Sequence, residues 1–264
     1  MPDSPSVVTH HSRADPDFRT ILGIRFFIGD LRALLVKTME GGLIVVPSGP
    51  NLADLRTEHA YREAVESSDL AITDSGFLVL LWALRQGERL NRISGLRYLR
   101  GLLTLPEFRK ANAVFWVMPT QDDARTNQAW LHRQRIEFSA DHCYIAPRYP
   151  AGHLEDRELL DRIEACRPAF VVINIGGGIQ ERLGHFLRVN LSFRPAIICT
   201  GAAIAFLSGR QTNIPPWADR LFLGWLIRCL RNPGRFVPRY WRAARLAPLL
   251  FKYGAGRVCG KGSA

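Results

Sequence analysis

Apolar positions in this chain fall in short blocks, separated by longer stretches with helical spacing. Leu43 to Val46, Val114 to Met118, Phe170 to Ile173 and Ala196 to Thr200 are apolar almost throughout and rich in β-branched side chains. That is the pattern of strands covered on both faces. Asp69 to Thr73 and Tyr144 to Ala146 are further short strands, and Ile21 to Ile28 a first strand or short hairpin. Between them, Leu31, Leu34 and Leu35 recur at helical spacing up to Gly41 and Gly42, where a helix stops. Helices are also predicted from about Leu52 to Glu66, Leu96 to Leu103, Gln121 to Arg135, Glu155 to Cys166 and Arg182 to Val189. Phe77 to Leu84 is apolar enough to predict a buried helix. Strands alternating with helices predict an α/β fold: a Rossmann-like parallel sheet flanked by helices.

In such a sheet, ligands sit beyond the carboxyl ends of strands. Three stretches at predicted strand ends therefore draw interest. Pro47 to Asn51 forms a loop after the second strand. Asp74, in Asp74-Ser75-Gly76, stands between a strand and an apolar helix, where a carboxylate resists desolvation. It either N-caps that helix, as Asp does well, or acts chemically; the two roles are compatible. Gly176, Gly177 and Gly178 follow the Phe170 strand at once, with Gln180 and Glu181 next. Glycines there serve a tight strand-to-helix turn or the close approach of a ligand. They do not spell G-x-G-x-x-G, because position 181 is Glu, so a dinucleotide-dependent oxidoreductase is disfavoured.

Composition adds a partner. The net charge is +11, which calls for a nucleic acid, a membrane surface or a phosphorylated substrate. Residues 217–253 hold eight basic side chains against the single acid Asp219, interleaved with aromatics. Basic, aromatic and amphipathic together, this segment is a membrane-surface or phosphate-binding arm, or else an amphipathic helix with a solvated basic face. Pro233 and Pro238 are expected to break it into pieces. The organisation expected is a tail at 1–19, an α/β catalytic domain at 20–212, a basic helical C-terminal appendage at 213–255 and a tail at 256–264. Five scattered cysteines with no C-x-x-C pair fit a reducing compartment rather than a disulfide framework or zinc site. No apolar run approaches the ~20 residues of a spanning helix. No metal or cofactor is expected.

These stretches, in this order, resemble the bacterial WecG/TagA/CpsF glycosyltransferase family. The resemblance runs from about Ile21 to Tyr240. It rests on the Asn loop Ser48-Gly49-Pro50-Asn51, on Asp74-Ser75-Gly76 with Arg92 to Gly95 downstream, and on Gly176 to Glu181 against G-x-P-K-Q-E. It rests also on Asn213 to Trp217 and on the run Trp225, Arg228, Pro233, Arg235, Pro238, Arg239, Tyr240. The chain departs from the family pattern at Gly49, Gly178, Ile179, Asn213 and Gly224. The resemblance implies transfer of an N-acetylmannosamine-like sugar from a UDP-sugar to a polyprenyl-diphosphate-linked saccharide, at the inner face of the cytoplasmic membrane. It implies Asp74 as catalytic base with Arg92 in the same pocket. Ser48, Asn51, Gly176, Gln180 and Glu181 would bind substrate, and Arg228, Arg235 and Arg239 the diphosphate. An inverting, metal-independent reaction follows, in which guanidinium groups carry the charge a cation would otherwise meet. A homo-oligomer is compatible with this, and no nucleic acid is expected. The competing expectation is a non-catalytic nucleic-acid-binding protein that uses the basic C-terminal segment.

Overall fold

A computed structural model describes residues 15–210 and 224–259; residues 1–14, the Asn213 to Trp217 motif and residues 260–264 lie outside the described residues. Eight strands form one sheet in the order β1-β2-β4-β3-β8-β7-β5-β6. They are β1 (Phe18–Ile21), β2 (Ile24–Phe27), β3 (Gly42–Val45), β4 (Leu70–Ile72), β5 (Val114–Met118), β6 (Cys143–Ile145), β7 (Phe170–Ile173) and β8 (Ala196–Cys199). Every neighbouring pair is parallel except the β1–β2 hairpin at the edge. The α/β architecture expected from the alternation of elements is the one present.

Each residue of β3, β4, β5, β7 and β8 is buried. Successive side chains feed opposite cores, as the two-residue period of a strand requires. Leu43 and Val45 join one core, Ile44 and Val46 the other. The first core is roofed by α2 (Gly49–Leu52), α3 (His59–Glu66), α4 (Gly76–Gln86), α7 (Arg157–Cys166), α8 (Ile179–Asn190) and α12 (Leu246–Tyr253). The second is roofed by α1 (Leu31–Thr38), α5 (Gly95–Leu102), α6 (Gln121–Arg133) and α9 (Ala203–Leu207). Helices α10 (Gly224–Arg231) and α11 (Pro233–Ala243) complete the described chain. The chain leaves β3 toward the first layer and β8 toward the second. A crevice therefore opens between the carboxyl ends of these adjacent strands, where α/β folds hold ligands.

Several elements differ from expectation, each for a local reason. The helix expected from Leu52 to Glu66 is two helices. Between them the Asp54 carbonyl accepts the N–H groups of Thr57 and Glu58 at 3.0 and 2.9 Å, closing a turn. Helix α8 starts directly after Gly178, so the glycine turn is shorter than the pattern suggested. Helix α4 is buried on one side only, with Phe77, Leu80 and Leu84 exposed. Pro238 does not end a helix: it lies at the middle of α11. The carbonyl its missing N–H would have bonded belongs to Gly234, itself exposed.

At the end opposite the crevice, Asp69 closes the sheet. Its carboxylate accepts from the Leu43 N–H at 2.8 Å, Arg188 Nε at 2.7 Å and Arg194 Nη2 at 2.8 Å. Burial alone would raise its pKa, but these donors hold it below the usual carboxylate value. Asp69→Ala should therefore cost about 2 kcal/mol in urea unfolding at pH 7. The carboxyl is depressed in the folded state, so its contribution is present above the unfolded value of about 4 and is lost as pH falls through the lower folded value. Parent and variant should converge in stability on acidification; a gap that holds constant down to pH 2 would contradict this.

Candidate active site

Four strand ends deliver polar groups to the crevice. After β3, Ser48 occupies the N-cap position of α2 without capping it. Its hydroxyl instead donates to Asn51 Oδ1 at 2.7 Å, fixing that side chain. The Asn51 amide then lies against the glycine turn: a Cβ at Gly177 would stand 2.7 Å from Asn51 Nδ2. Here glycine is required by close approach.

After β4 the chain reaches Asp74. The helix that follows is capped by Ser75, whose hydroxyl accepts the Leu78 N–H at 3.2 Å, so Asp74 is not its cap. The Asp74 carboxylate accepts the Gly95 N–H through Oδ1 at 3.0 Å. Its carbonyl accepts Arg92 Nε at 2.7 Å. The Arg92 to Gly95 loop is thus folded back onto the strand end, and both Asp74 and Arg92 are half-buried. Asp74 Oδ2 receives no hydrogen bond among the described residues.

After β7, Gly178 adopts φ +89° and ψ −42°, a backbone region essentially closed to L side chains. Its N–H donates to Glu181 Oε2 at 2.6 Å, and Gln180 Nε2 donates to Glu181 Oε1 at 3.0 Å and to the Cys199 carbonyl at 3.2 Å. Glu181 is enclosed, and burial raises its pKa in spite of these donors. Its carboxylate is spent on holding the turn. Gln180 is enclosed too, and Gly201, after β8, packs against its amide: a Cβ there would lie 3.5 Å from Oε1. The same contacts join the two halves of the crevice. A Cβ at Gly95 would lie 3.9 Å from the Thr200 carbonyl, and one at Gly49 would lie 2.9 Å from Ser75 Oγ. Ser48, Asn51, Asp74, Arg92, Gly176, Gln180 and Glu181 therefore occupy one end of the sheet.

The sequence did not single out Asn174, Thr200 or Gly201. Asn174 and Thr200 are the first residues after β7 and β8, and the Asn174 Oδ1, Thr200 Oγ1 and Gln180 Oε1 atoms are buried without a hydrogen-bond partner. Such atoms are uncommon, and three of them gather at this end of the sheet. The only trace in the sequence is a polar residue closing an apolar run. Beside the turn, a cleft of about 310 Å³ is walled by Pro119, Ala146, Pro147, Tyr149, Ile175 and Ile179, with Arg148 at its edge. Arg228 lies on α10, and Arg235 and Arg239 lie on α11; their side chains lie outside the described residues. Asn232 separates the two helices, so the three arginines do not share one continuous helical face. At its far end α11 comes close to the site, for the Cβ that Gly49 lacks would be 3.9 Å from Ala243 Cβ. Among the described residues no three His, Cys, Asp or Glu side chains converge as metal ligands do.

Comparison with known proteins gives this geometry a context. The family model described as the glycosyl transferase WecG/TagA/CpsF family matches residues 19–258. A Bacillus spizizenii protein is 27% identical over 221 residues, covering 81% of this chain and 82% of its own. A Staphylococcus aureus protein is 21% identical over 220 residues, covering 80% and 83%. Each is named N-acetylglucosaminyldiphosphoundecaprenol N-acetyl-beta-D-mannosaminyltransferase.

The turn itself can be tested. Gly178→Ala should lower stability by about 1–3 kcal/mol, because the side chain must hold a strained backbone. Gly178→Pro, which restores the family's residue, should cost at least as much, since proline fixes φ near −65° and removes the N–H that Glu181 accepts. Gly176→Ala, with nothing within 4 Å of the added carbon, should be near neutral. Urea unfolding of the three variants checks the order.

Proposed function

The chain belongs to the WecG/TagA/CpsF family of glycosyltransferases, and we propose that it passes an N-acetylmannosamine-like sugar from UDP to an N-acetylglucosaminyl-diphospho-polyprenyl acceptor in cell-surface polysaccharide synthesis. The observation that carries this reading is the meeting of Asp74, the Asn51 loop and the glycine turn at one crevice, in a chain similar to two enzymes named for that acceptor.

In this mechanism Asp74 is the base. Gly95 holds Oδ1 in place, leaving Oδ2 to take the proton of the acceptor hydroxyl. The freed oxygen attacks the anomeric carbon as the bond to UDP breaks on the opposite face, inverting the configuration. The proton ends on Asp74 and the electron pair on UDP. A base fixed in this way contributes about 10²–10⁴ in rate. Arg92 stands beside it, and Arg228, Arg235 and Arg239 complete the countercharge for the departing diphosphate without a metal. The apolar cleft beside Ile175 and Ile179 suits the nucleoside, since such pockets are mostly apolar with a few polar groups. Gln180 then orients the donor from the floor of the crevice. No helix among the described residues is long and apolar enough to cross a membrane. In this reading the lipid-linked acceptor, named for both relatives, brings the enzyme to the inner face of the cytoplasmic membrane. The nucleic-acid reading draws on the C-terminal charge alone and gives no role to Asp74, Arg92 or the turn.

Asp74→Asn keeps an acceptor for the Gly95 N–H but no longer takes a proton. Turnover should fall by about 10²–10⁴ while calorimetric binding of UDP is retained; parental turnover would remove Asp74 from the chemistry. Transfer should also survive excess EDTA, and strict dependence on added divalent cation would refute the metal-independent route.

A further inference from the structure

Helix α4 carries a line of side chains that the fold leaves unused. Phe77, Leu80 and Leu84 are 38%, 56% and 69% exposed, whereas Leu78, Leu81 and Trp82 of the same helix are buried. At 3.6 residues per turn the exposed three fall within roughly 60° of arc, forming one stripe along the outer face. Single exposed apolar residues are ordinary, but a continuous patch marks a contact surface.

Exposed aromatics stand in the elements next to both ends of α4. Helix α12 packs against α4, and Arg85 Nη1 reaches the Leu250 carbonyl at 3.5 Å. The next residue, Phe251, is 54% exposed. At the other end Phe77 stands two residues past Ser75, whose hydroxyl borders Gly49, as does Ala243 at the close of α11. Two residues before Ala243, Trp241 is 80% exposed. Charge decides what covers this face. Residues 224–259 hold eight Lys and Arg and no Asp or Glu, and Arg242 and Lys252 are exposed beside the aromatics. A second copy would bring like charges together, whereas an anionic bilayer offers both an apolar layer and opposite charge.

We propose that the α4 stripe, with Phe251 and Trp241, is a lipid-contact face that seats the protein on an anionic bilayer. It begins three residues after Asp74, so a seated enzyme holds its base near the headgroup layer, where a polyprenyl diphosphate presents its sugar. The proposal rests on the lipid-linked acceptor of the preceding section for its purpose, but not for its test.

The test uses the full chain and its Leu80→Ser, Leu84→Ser double variant. Both residues are exposed, so the melting temperature should be unchanged. The parent should co-sediment with vesicles of phosphatidylglycerol and phosphatidylcholine, and the variant at least about tenfold more weakly. Transfer to a long-chain acceptor held in those vesicles should fall with binding, while transfer to a short-chain, water-soluble acceptor stays at the parental rate. Equal sedimentation of parent and variant would overturn the proposal. So would a parental dimer that the variant splits with vesicle binding unchanged, which would give the face to a second copy. A parent that binds vesicles through the stripe yet transfers no sugar to the short-chain acceptor would uphold the lipid face and strike the proposed activity instead.

Discussion

Central strands covered on both faces leave this chain one place to gather polar side chains. Every residue of β3, β4, β5, β7 and β8 is buried, so a charge within those strands would have to be desolvated at a cost of several kcal/mol. Polar groups therefore collect beyond the strand ends. At the amino ends they are spent on the architecture, as with Asp69 and its two arginines. At the carboxyl ends they are left partly unspent, as with Asp74 Oδ2 and the buried Asn174, Gln180 and Thr200 atoms. One sheet thus has a structural end and a chemical end.

The glycine turn connects the two kinds of work. Glu181 is enclosed and gives both oxygens to the turn, one to the Gly178 N–H and one to the Gln180 amide. Gln180 in turn ties β8 through the Cys199 carbonyl, and Gly177 admits Asn51 from the loop after β3. Where the family has proline, this chain has Gly178 with a backbone no proline adopts. The glycine supplies an N–H donor that proline lacks, and Glu181 accepts it.

Helix α4 shows how a single element can be apolar on both its buried and its exposed face. Its inner face fills the core with Leu78, Leu81 and Trp82, its cap Ser75 follows Asp74 directly, and its outer face shows leucines to the outside. Leu246, Leu249 and Leu250 of α12 pack into the same core, so the helix that carries Phe251 and Lys252 is held beside α4.

Periodicity alone determined the class of fold, because a strand covered on both faces has to be apolar at every position and a one-sided helix has to repeat its apolar residues. Residue types at the predicted strand ends also singled out Asp74, the Asn loop and the glycine turn, since acids and triple glycines are conspicuous beside such runs. Other features depended on groups far apart in sequence. Whether Asp74 capped α4 was decided by the fold, in which Ser75 takes the Leu78 N–H and Asp74 the Gly95 N–H, 21 residues on. The enclosure of Glu181 came from packing around the turn, and Asn174 and Thr200 gained meaning only when β7 and β8 became neighbours. Hydropathy likewise could not tell an apolar helix buried all round from one with a bare face. That distinction depends on which neighbours arrive to cover it, and only the tertiary structure decides which do.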